Sequence, residues 1–403
     1  MKMLNKTLVL IALFFISHSI QSQTDSLNKP KLVVSGYLDA YYNVAFNSPG
    51  AGAKLWGPGL GARAFDINNN QFSLGAIQGK LDYTNHQFEV VADVVAGPNA
   101  SLITLASFTS NTYAGGTLGG GAFGIKQLYG VWKPNDKLSF TIGQFGTHIG
   151  YEVVEPSINY NYSLSNLFNN GPFFHTGLKM NYAASDKFGF MIGLVNTWDN
   201  FDDNNGFKDP IVQLSFFPAK GLSIYLNAIT GKGDKAGSAT IANAVSSSTH
   251  PDGFTSTLFD LTASYVVGKA TFGINAATGS FSTSASDLKA KFKAITGGKK
   301  DSPTYGGIAG YFNIAPSSTF SIGARVEQYN DYYGVRYLGG NNTSLTFTST
   351  ITLANGSLLL KPELRLDSGT GDNHVGGHVD LYNGNGKTSA TQQTLGLATI
   401  FKF

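Results

Sequence analysis

Segments in which apolar and polar residues alternate with a period of two run along almost the whole chain. Such alternation predicts β-strands with one apolar face and one polar face. About sixteen such segments can be traced, each of roughly ten residues, the length that a tilted strand needs to cross a lipid bilayer. They are separated alternately by short polar turns and by long loops rich in Gly, Asn and Ser.

The two kinds of connection fall on opposite ends of the strands. If the first strand starts in the periplasm, every short turn is periplasmic and every long connection is extracellular, as in outer-membrane barrels. A soluble β-sandwich has no reason to segregate its loops in this way. The long connections are residues 47–70, 98–122, 146–174, 199–209, 231–255, 279–304, 330–342 and 368–387.

The sequence therefore predicts an all-β fold, a transmembrane antiparallel up-and-down β-barrel of about 16 strands. We expect it to cover residues 31–403 and to lie in the bacterial outer membrane. An even number of strands returns both termini to the periplasm. Residues 101–113 and 240–246 leave the count open by two strands, because their apolar residues could form loop helices or further hairpins.

The last eleven residues, from Gln393, form a two-faced strand that ends on an aromatic residue. Leu395, Leu397 and Phe401 share the face that would meet lipid. A strand of this kind is suited to close the barrel against the first strand, with Phe403 at the periplasmic rim. We expect the barrel-assembly machinery to engage the chain through this strand.

Residues 1–22 have the parts of a secretory signal peptide. Lys2 and Lys6 precede the apolar run 8–16, which is too short to span a bilayer as a helix, and small polar residues follow it. Cleavage would leave residues 23–30 as a short periplasmic segment. The chain has no cysteine, which excludes a lipoprotein anchor on cysteine, disulfides and thiolate metal sites.

Composition favours a membrane barrel over other classes of protein. Charged residues make up 13% of the chain, about half the usual share, and a lipid-facing surface must not carry charge. Removal of Lys2 and Lys6 with the signal peptide would leave 26 basic against 25 acidic residues. There is no basic cluster interleaved with aromatic residues, so we expect no nucleic-acid partner. No linker or shift in composition follows residue 30, which indicates one domain.

The polar faces of the strands would line the lumen, which holds water in a barrel this wide. Charges at membrane depth must face such a lumen or one another. Each charged residue could therefore line the pore or brace the wall in a salt bridge, and the two roles are compatible. The candidate pore-lining residues are Tyr37, Asp39, Glu89, Asp93, Glu152, Glu155, His175, Arg325, Glu327, Lys361, Glu363 and Arg365. Ser223, Tyr225 and Asn227 would line a middle strand.

The longest loop, residues 146–174, contains Glu152, Glu155 and several Asn and Tyr residues, with little flexible Gly or Ser. It follows the fifth strand, as the constriction loop does in general porins. We expect it to fold inward and narrow the pore, the alternative being an ordinary extracellular loop. Acidic residues on the first wall would face basic residues elsewhere, so a transverse field and weak ion selectivity are expected.

Two blocks of sequence carry a family resemblance: residues 36–42, GYLDAYY, and residues 143–177, which contain GQFGTHIGYE, NYS and GPFFHTG. With them the chain resembles the OmpL-like β-barrel porins of Bacteroidota-type bacteria. The resemblance implies a porin-like outer-membrane barrel, without implying a particular solute. It places residues at family-typical positions as candidate pore and loop-anchoring residues, namely Tyr37, Asp39, Gly150, Glu152, Asn161, Tyr162, Ser163, His175 and Gly177.

Motifs of enzymes and cofactor sites are missing or lack their context. The glycines at 57–61 precede no helix, and residues 231–235 lack the Gly-Lys-Ser/Thr ending of a phosphate-binding loop. His148 and His175 flank the long loop and could approach each other, but a lone loop histidine more often forms hydrogen bonds than binds a metal. We expect no enzyme activity, no cofactor and no metal; Ser163 with His175 is the pair that a barrel hydrolase would use.

The function that best fits these observations is an outer-membrane porin for passive diffusion of small hydrophilic solutes or ions. Its expected partners are outer-membrane lipid and those solutes, and a homotrimer is expected by analogy with porins of this size. A closed or plugged barrel with an adhesive or structural role is the first alternative. A barrel hydrolase is the second.

Overall fold

The computed structural model describes residues 30–46, 55, 63–104, 122–203, 205–232, 253–331, 336, 340–373, 377–380, 382–384, 387–389 and 391–403. The predicted signal peptide, the segment 240–246 and most of 101–113 lie outside these residues.

Sixteen strands form the barrel: β1 Lys31–Ala45, β2 Gln71–Thr84, β3 Phe88–Gly97, β4 Ala122–Asn135, β5 Leu138–Gly146, β6 Phe174–Ser185, β7 Phe188–Trp198, β8 Asp209–Ala219, β9 Leu222–Lys232, β10 Phe254–Val267, β11 Ala270–Thr283, β12 Thr304–Ser317, β13 Phe320–Asp331, β14 Gly340–Leu353, β15 Leu358–Asn373 and β19 Thr391–Lys402. Three short strands precede β19: β16 Gly377–Asp380, β17 Tyr382–Gly384 and β18 Lys387–Ser389. The described helices are α1 Ala100–Ile103, α2 Asn166–Asn169 and α3 Ser286–Ile295, with a 3₁₀ turn at Ala354–Gly356. None of these helices is long and apolar enough to cross a membrane.

The barrel is closed by the pairing of its last strand with its first. Neighbouring strands pair antiparallel in chain order from β1 to β15, and β19 then pairs with both β15 and β1. The backbone amide of Gly36 donates to the carbonyl of Phe403 at 3.0 Å, and the amide of Phe403 donates back at 3.1 Å. Closure leaves no unpaired edge between the first strand and the last, which a membrane-spanning sheet requires. The predicted sixteen-stranded antiparallel barrel is confirmed.

The outer face of the barrel is apolar along the strands. Leu395, Leu397 and Phe401 on β19 are each about half exposed, and Phe72 on β2 is almost fully exposed. The residues that alternate with them point inward; on β19 Ala398 and Ile400 are buried. The lipid-facing side predicted for the final strand is therefore the outer side of the barrel.

Local breaks in the strand register change which residues point inward. The register between β1 and β2 shifts after Leu38, and Asp39 lies against the Gly75–Ala76 step of β2. The Asp39 carboxylate accepts a hydrogen bond from the Ala76 amide at 2.7 Å. A side-chain carbon at Gly75 would lie 2.1 Å from that carboxylate, so only glycine fits there.

The second such break lies on β4 and brings a cation into the lumen. The register between β3 and β4 shifts after Asp93, and Lys126 is the extra residue on β4. A β-bulge of this kind lets two consecutive side chains point to the same side. Accordingly, Lys126 and Gln127 both donate to the Asp93 carboxylate, at 3.2 and 3.1 Å.

Candidate functional site

The segment between β5 and β6, residues 146–174, lies inside the barrel and is called the inner loop below. It contains α2, and hydrogen bonds join it to side chains of β1, β10, β13 and β15. A segment without strand partners needs other groups to satisfy its buried amides and carbonyls. In the inner loop, charged side chains of the barrel wall supply them.

Two side chains of β15 hold the middle of the inner loop. The Glu363 carboxylate accepts from the backbone amides of Tyr162 and Ser163, at 2.7 and 3.1 Å. Two residues further along β15, the Arg365 guanidinium donates to the carbonyl of Leu164 at 2.9 Å. Because residues two apart on a strand face the same side, Glu363 and Arg365 both reach the backbone of residues 162–164.

Two side chains of β13 continue this arrangement. The Glu327 carboxylate accepts from the amides of Asn166 and Leu167, both at 2.8 Å, at the first turn of α2. These amides have no partner within a helix, so an acceptor there is needed. Arg325 donates to the Ser163 carbonyl at 2.7 Å and forms an ion pair with Glu152 of the inner loop. Charged wall residues thus bind backbone groups along residues 162–167.

Side chains add further anchors between the inner loop and the wall. The Tyr162 hydroxyl donates to Asp39 at 2.6 Å, and its ring packs at 5.8 Å from that of Tyr41. The Lys361 ammonium donates to the Asn159 carbonyl at 2.5 Å. These contacts fix the inner loop against the side of the barrel formed by β13–β15 and β1.

The start of the inner loop reaches the opposite side of the barrel. Asp260 on β10 accepts from the amide of Gly150 at 3.1 Å. The ring nitrogen Nε2 of His148 donates to the carbonyl of Ala228 at 3.1 Å. Burial lowers the pKa of His148 to about 4, with a smaller contribution in the same direction from the charge of Lys179. His148 is therefore neutral at physiological pH.

The expected approach of His148 to His175 is present, with ring centroids 5.6 Å apart. The Nε2 atom of His175 lies 3.0 Å from the Thr147 hydroxyl, in hydrogen-bonding contact. No group of three or more His, Asp or Glu side chains in the described part of the chain is arranged to hold a metal ion. Through their hydrogen bonds, the two histidines join the inner loop to β6 and β9.

The charges that hold the inner loop are removed from water. Arg325 and Arg365 are both 0% exposed, and Glu327 and Glu363 are buried beside them. Burying a charge is costly unless it is paired and fully hydrogen-bonded. Here Arg325 pairs with Glu152, and Arg365 donates to Asp367 at 2.9 Å. Charge-assisted bonds to the loop backbone supply further partners to both guanidinium groups.

A cavity of about 540 Å³ remains between the inner loop and the wall formed by β8–β10. The inner loop contributes Tyr151, Val153 and Ile158 to its lining. Uncharged polar residues of the wall line the other side, namely Gln213, Tyr225, Thr262 and Ser264. The ion pair of Lys126 with Glu155 also borders it. This cavity is called the passage below.

Small residues of the wall make room for the tyrosines of the inner loop. A side-chain carbon at Gly273 of β11 would lie 2.3 Å from the Tyr151 hydroxyl. One at Gly323 of β13 would lie 2.9 Å from the side chain of Tyr160. The Tyr151 ring stacks on that of Tyr311 at 4.4 Å. The position of Tyr151 at the passage therefore depends on glycine at 273.

The twelve candidate residues from the sequence fall into three groups. Ten are buried and serve mainly as partners of the inner loop or of one another: Tyr37, Asp39, Asp93, Glu152, His175, Arg325, Glu327, Lys361, Glu363 and Arg365. Glu155 is half-buried and borders the passage. Glu89 is also half-buried, but it pairs with Lys133 at 2.7 Å, close to the turn between β4 and β5.

Several residues of the site were missed by sequence reasoning. The alternation of inward and outward residues could not place Lys126 inward, because the bulge moves it to the inner face. Gln213, Asp260 and Thr262 do follow the inward parity of their strands, so alternation alone could have indicated them. What alternation could not indicate is which inward residues the inner loop leaves uncovered.

Comparison with known proteins agrees with the barrel architecture. The model of the family described as "Putative beta-barrel porin-2, OmpL-like" matches residues 31–403. The chain belongs to this family. The protein is thus an outer-membrane β-barrel of a porin-like family. A search of curated proteins found no match.

Solved structures of outer-membrane proteins share the fold. The anion-selective porin from Comamonas acidovorans superposes with a TM-score of 0.57 at 10% identity, over 93% of this chain and 100% of that one. OmpT of Vibrio cholerae superposes with a TM-score of 0.55 at 12% identity, over 95% of this chain and 99% of that one. The outer-membrane channel DcaP of Acinetobacter baumannii superposes with a TM-score of 0.54 at 9% identity, over 95% of this chain and 100% of that one. At such low identity the likeness shows a common barrel fold and nothing about solutes.

Proposed function

We propose that the barrel is a porin through which small hydrophilic solutes and ions diffuse passively across the outer membrane. The observation that supports this most is the passage itself, a cavity of about 540 Å³ inside the barrel that is bordered by polar side chains. The membership in a porin-like family agrees with it. Polar linings at membrane depth are expected where water fills the interior.

The inner loop is proposed to be the constriction of this pore. Most of its anchors are buried charged side chains of β13, β15 and β1, while its start also bonds to β9 and β10. The passage is the space that remains between the inner loop and the wall. In this proposal the charged candidate residues shape the pore by holding the inner loop. Glu152, Glu155 and Lys126 are the charged side chains that also border the passage.

Single-channel recording of the purified, folded barrel in planar bilayers tests the porin and the constriction together. We expect discrete conductance steps for the native protein. The double variant Glu327→Gln/Glu363→Gln weakens the bonds to the loop amides and should raise the unit conductance. Glu89→Gln removes the half-buried Glu89–Lys133 ion pair near the β4–β5 turn, so it should leave the conductance unchanged. A folded native barrel that shows no conductance would contradict the proposal.

Ion selectivity is proposed to be weak. Lys126 and Glu155 at the passage form an ion pair, and the two arginines that bind the inner loop are paired with Glu152 and Asp367. A reversal potential measured in a salt gradient should therefore lie close to zero. A strong preference for cations or anions would count against this part of the proposal.

The hydrolase alternative has no support in the arrangement of its two candidate residues. The Ser163 hydroxyl lies 3.5 Å from the guanidinium of Arg325, whereas His175 is engaged by Thr147. We propose that the protein has no enzyme activity. The plugged-barrel alternative predicts an interior without a continuous water path, and the conductance measurement decides it.

The remaining proposals concern assembly and origin. We propose that residues 1–22 are removed by signal peptidase, that the barrel-assembly machinery engages β19, and that the barrel forms a homotrimer. Native mass spectrometry of the detergent-extracted protein would show the mass of the mature chain and the oligomeric state. Restriction of the protein to Bacteroidota-type bacteria stays a prediction from the resemblance.

A further inference from the structure

The charged side chains that bind the middle of the inner loop are concentrated on one side of the lumen. Arg325, Glu327, Glu363 and Arg365 all lie on β13 and β15, and all are buried against the inner loop. Where β8–β10 border the passage, they present amide and hydroxyl groups to it. The charged side chains that do border the passage, Lys126, Glu152 and Glu155, are each ion-paired.

Two aromatic rings take part in this lining. Tyr151 comes from the inner loop, and its ring is held by stacking on Tyr311 at an interplanar angle of 19°. Tyr225 comes from β9, and its ring packs edge-on against Phe217 at 6.0 Å. Both rings are partly exposed. Each therefore offers an apolar surface in a passage that is otherwise polar.

Some hydrogen-bonding groups near these rings keep donors or acceptors that no protein atom of the described residues occupies. Gln213 donates through its amide nitrogen to Asn227 at 2.8 Å, which leaves its carbonyl oxygen as an acceptor. Within the described residues, the hydroxyls of Tyr225 and Thr262 form no hydrogen bond to protein atoms, although both side chains border the passage. Such groups are available to a polar solute.

The charges near the passage do not favour an ionic ligand. Lys126 is neutralised by Asp93 and Glu155. Lys179 has no carboxylate within 4.0 Å in the described part of the chain, but its ammonium lies over the Phe145 ring at 4.3 Å. It does not line the cavity. The passage thus combines aromatic faces with neutral donors and acceptors.

We propose that the passage is a binding site for a neutral saccharide of the size of a mono- or disaccharide, with Tyr151 and Tyr225 as its stacking surfaces. A pyranose ring has an apolar face of C–H groups, which packs on an aromatic ring, and a rim of hydroxyls, which donate to and accept from amides and hydroxyls. A cavity of about 540 Å³ lies within the range of small-molecule sites. The proposal rests on the proposed porin function and names its solute class.

Block of the ion current by added sugar tests the proposal in the conducting barrel. Maltose should reduce the current in a saturable manner, whereas a polyethylene glycol of equal size should not. Tyr151→Ala and Tyr225→Ala should each raise the half-blocking concentration about tenfold or more. Tyr225→Phe keeps the ring and should retain most of the block. Tyr265→Ala, on the lipid side of β10, is the matched control and should leave the block unchanged.

Equilibrium dialysis of labelled maltose against the detergent-solubilised barrel separates this proposal from the porin function. Binding without conductance would overturn the porin function and leave the saccharide site intact. Conductance without saturable block and without binding would overturn the saccharide site alone. Equal block by maltose and by the polyethylene glycol would also overturn it, because size exclusion would then suffice.

Discussion

At the scale of the residue, Arg325 and Arg365 each bind a carboxylate and a backbone carbonyl at the same time. Arg325 bridges Glu152 and the Ser163 carbonyl, and Arg365 bridges Asp367 and the Leu164 carbonyl. The five donors of a guanidinium lie in a fixed plane, so one side chain can satisfy several acceptors without moving. Lysine could not replace either arginine in this role.

Arg325→Met should destabilise the folded barrel because it leaves Glu152 buried without its cation. Removing one partner of a buried ion pair costs about 3–5 kcal/mol. Unfolding in urea, followed by tryptophan fluorescence in detergent micelles, measures the change. Lys293→Met, at an exposed position of α3, is the control and should change stability by no more than about 0.5 kcal/mol.

A second variant separates charge from packing in the same network. Arg325→Met/Glu152→Gln removes the uncompensated carboxylate and should recover part of the lost stability. If the single variant has the stability of the native protein, the Arg325–Glu152 pair is not buried as described.

At the scale of the element, the inner loop is held by acceptors and donors that differ in their response to pH. Burial keeps the pKa of His148 near 4, so its protonation opposes the docked position. Burial raises the pKa of Asp199 to about 6, and this carboxyl accepts from the amides of Phe173 and Phe174. Its protonation in acid therefore favours the folded state. The two groups act in opposite directions.

The docked inner loop should become less stable in the native protein than in His148→Gln as the pH falls. The pKa of His148 is lowered on docking, so its contribution is fully present above about 6.5 and is lost as the pH falls towards about 4. The loss should be of the order of 1–3 kcal/mol. Hydrogen exchange of the amides of residues 162–167 at pH 7 and pH 4.5, corrected for intrinsic rates, measures it.

The control for this experiment is a second histidine substitution. His86→Gln, in the exposed turn between β2 and β3, should behave like the native protein. Comparison with His148→Gln cancels the opposing contribution of Asp199, which both proteins retain. Equal pH dependence in the native protein and in His148→Gln would show that His148 does not control docking.

Strand positions could be predicted from the sequence far better than the role of the inward residues. Alternation located all sixteen strands, because lipid on one side and a polar interior on the other impose a period of two. The alternation rule did not predict the inward side chain of Lys126, because a bulge adds one residue to β4 there. It also could not show that Glu363 and Arg365 hold the inner loop. That depends on a contact between residues about 200 positions apart, which no local pattern encodes.

At the scale of the whole molecule, the seam between β1 and β19 completes the barrel. Its register runs from Tyr37 opposite Lys402 to Ala45 opposite Thr394. The Phe403 ring lies over Gly36, where a side-chain carbon would come within 2.6 Å of it. The aromatic terminus therefore packs at the place where the strands meet, as the sequence predicted.

Phe403→Ala should separate assembly in cells from folding in vitro. The backbone bonds between residue 403 and Gly36 do not need the ring, so refolding into detergent should proceed with a yield near that of the native protein. If the assembly machinery reads the aromatic terminus, the amount of barrel in the outer membrane should fall several-fold. Phe401→Ala, which alters a lipid-facing ring of the same strand, is the matched control. Equal outer-membrane levels for both variants would argue against a role for the terminus.

The anchoring of the inner loop also constrains the order in which parts of the protein can fold. Glu363 follows Tyr162 by 201 positions, and Glu327 follows Asn166 by 161. The cost of bringing such distant groups together falls only once the intervening strands are ordered. The inner loop can therefore complete its set of bonds only after β13 and β15 have formed. The narrowing of the lumen by the inner loop thus depends on strands that are synthesised long after it.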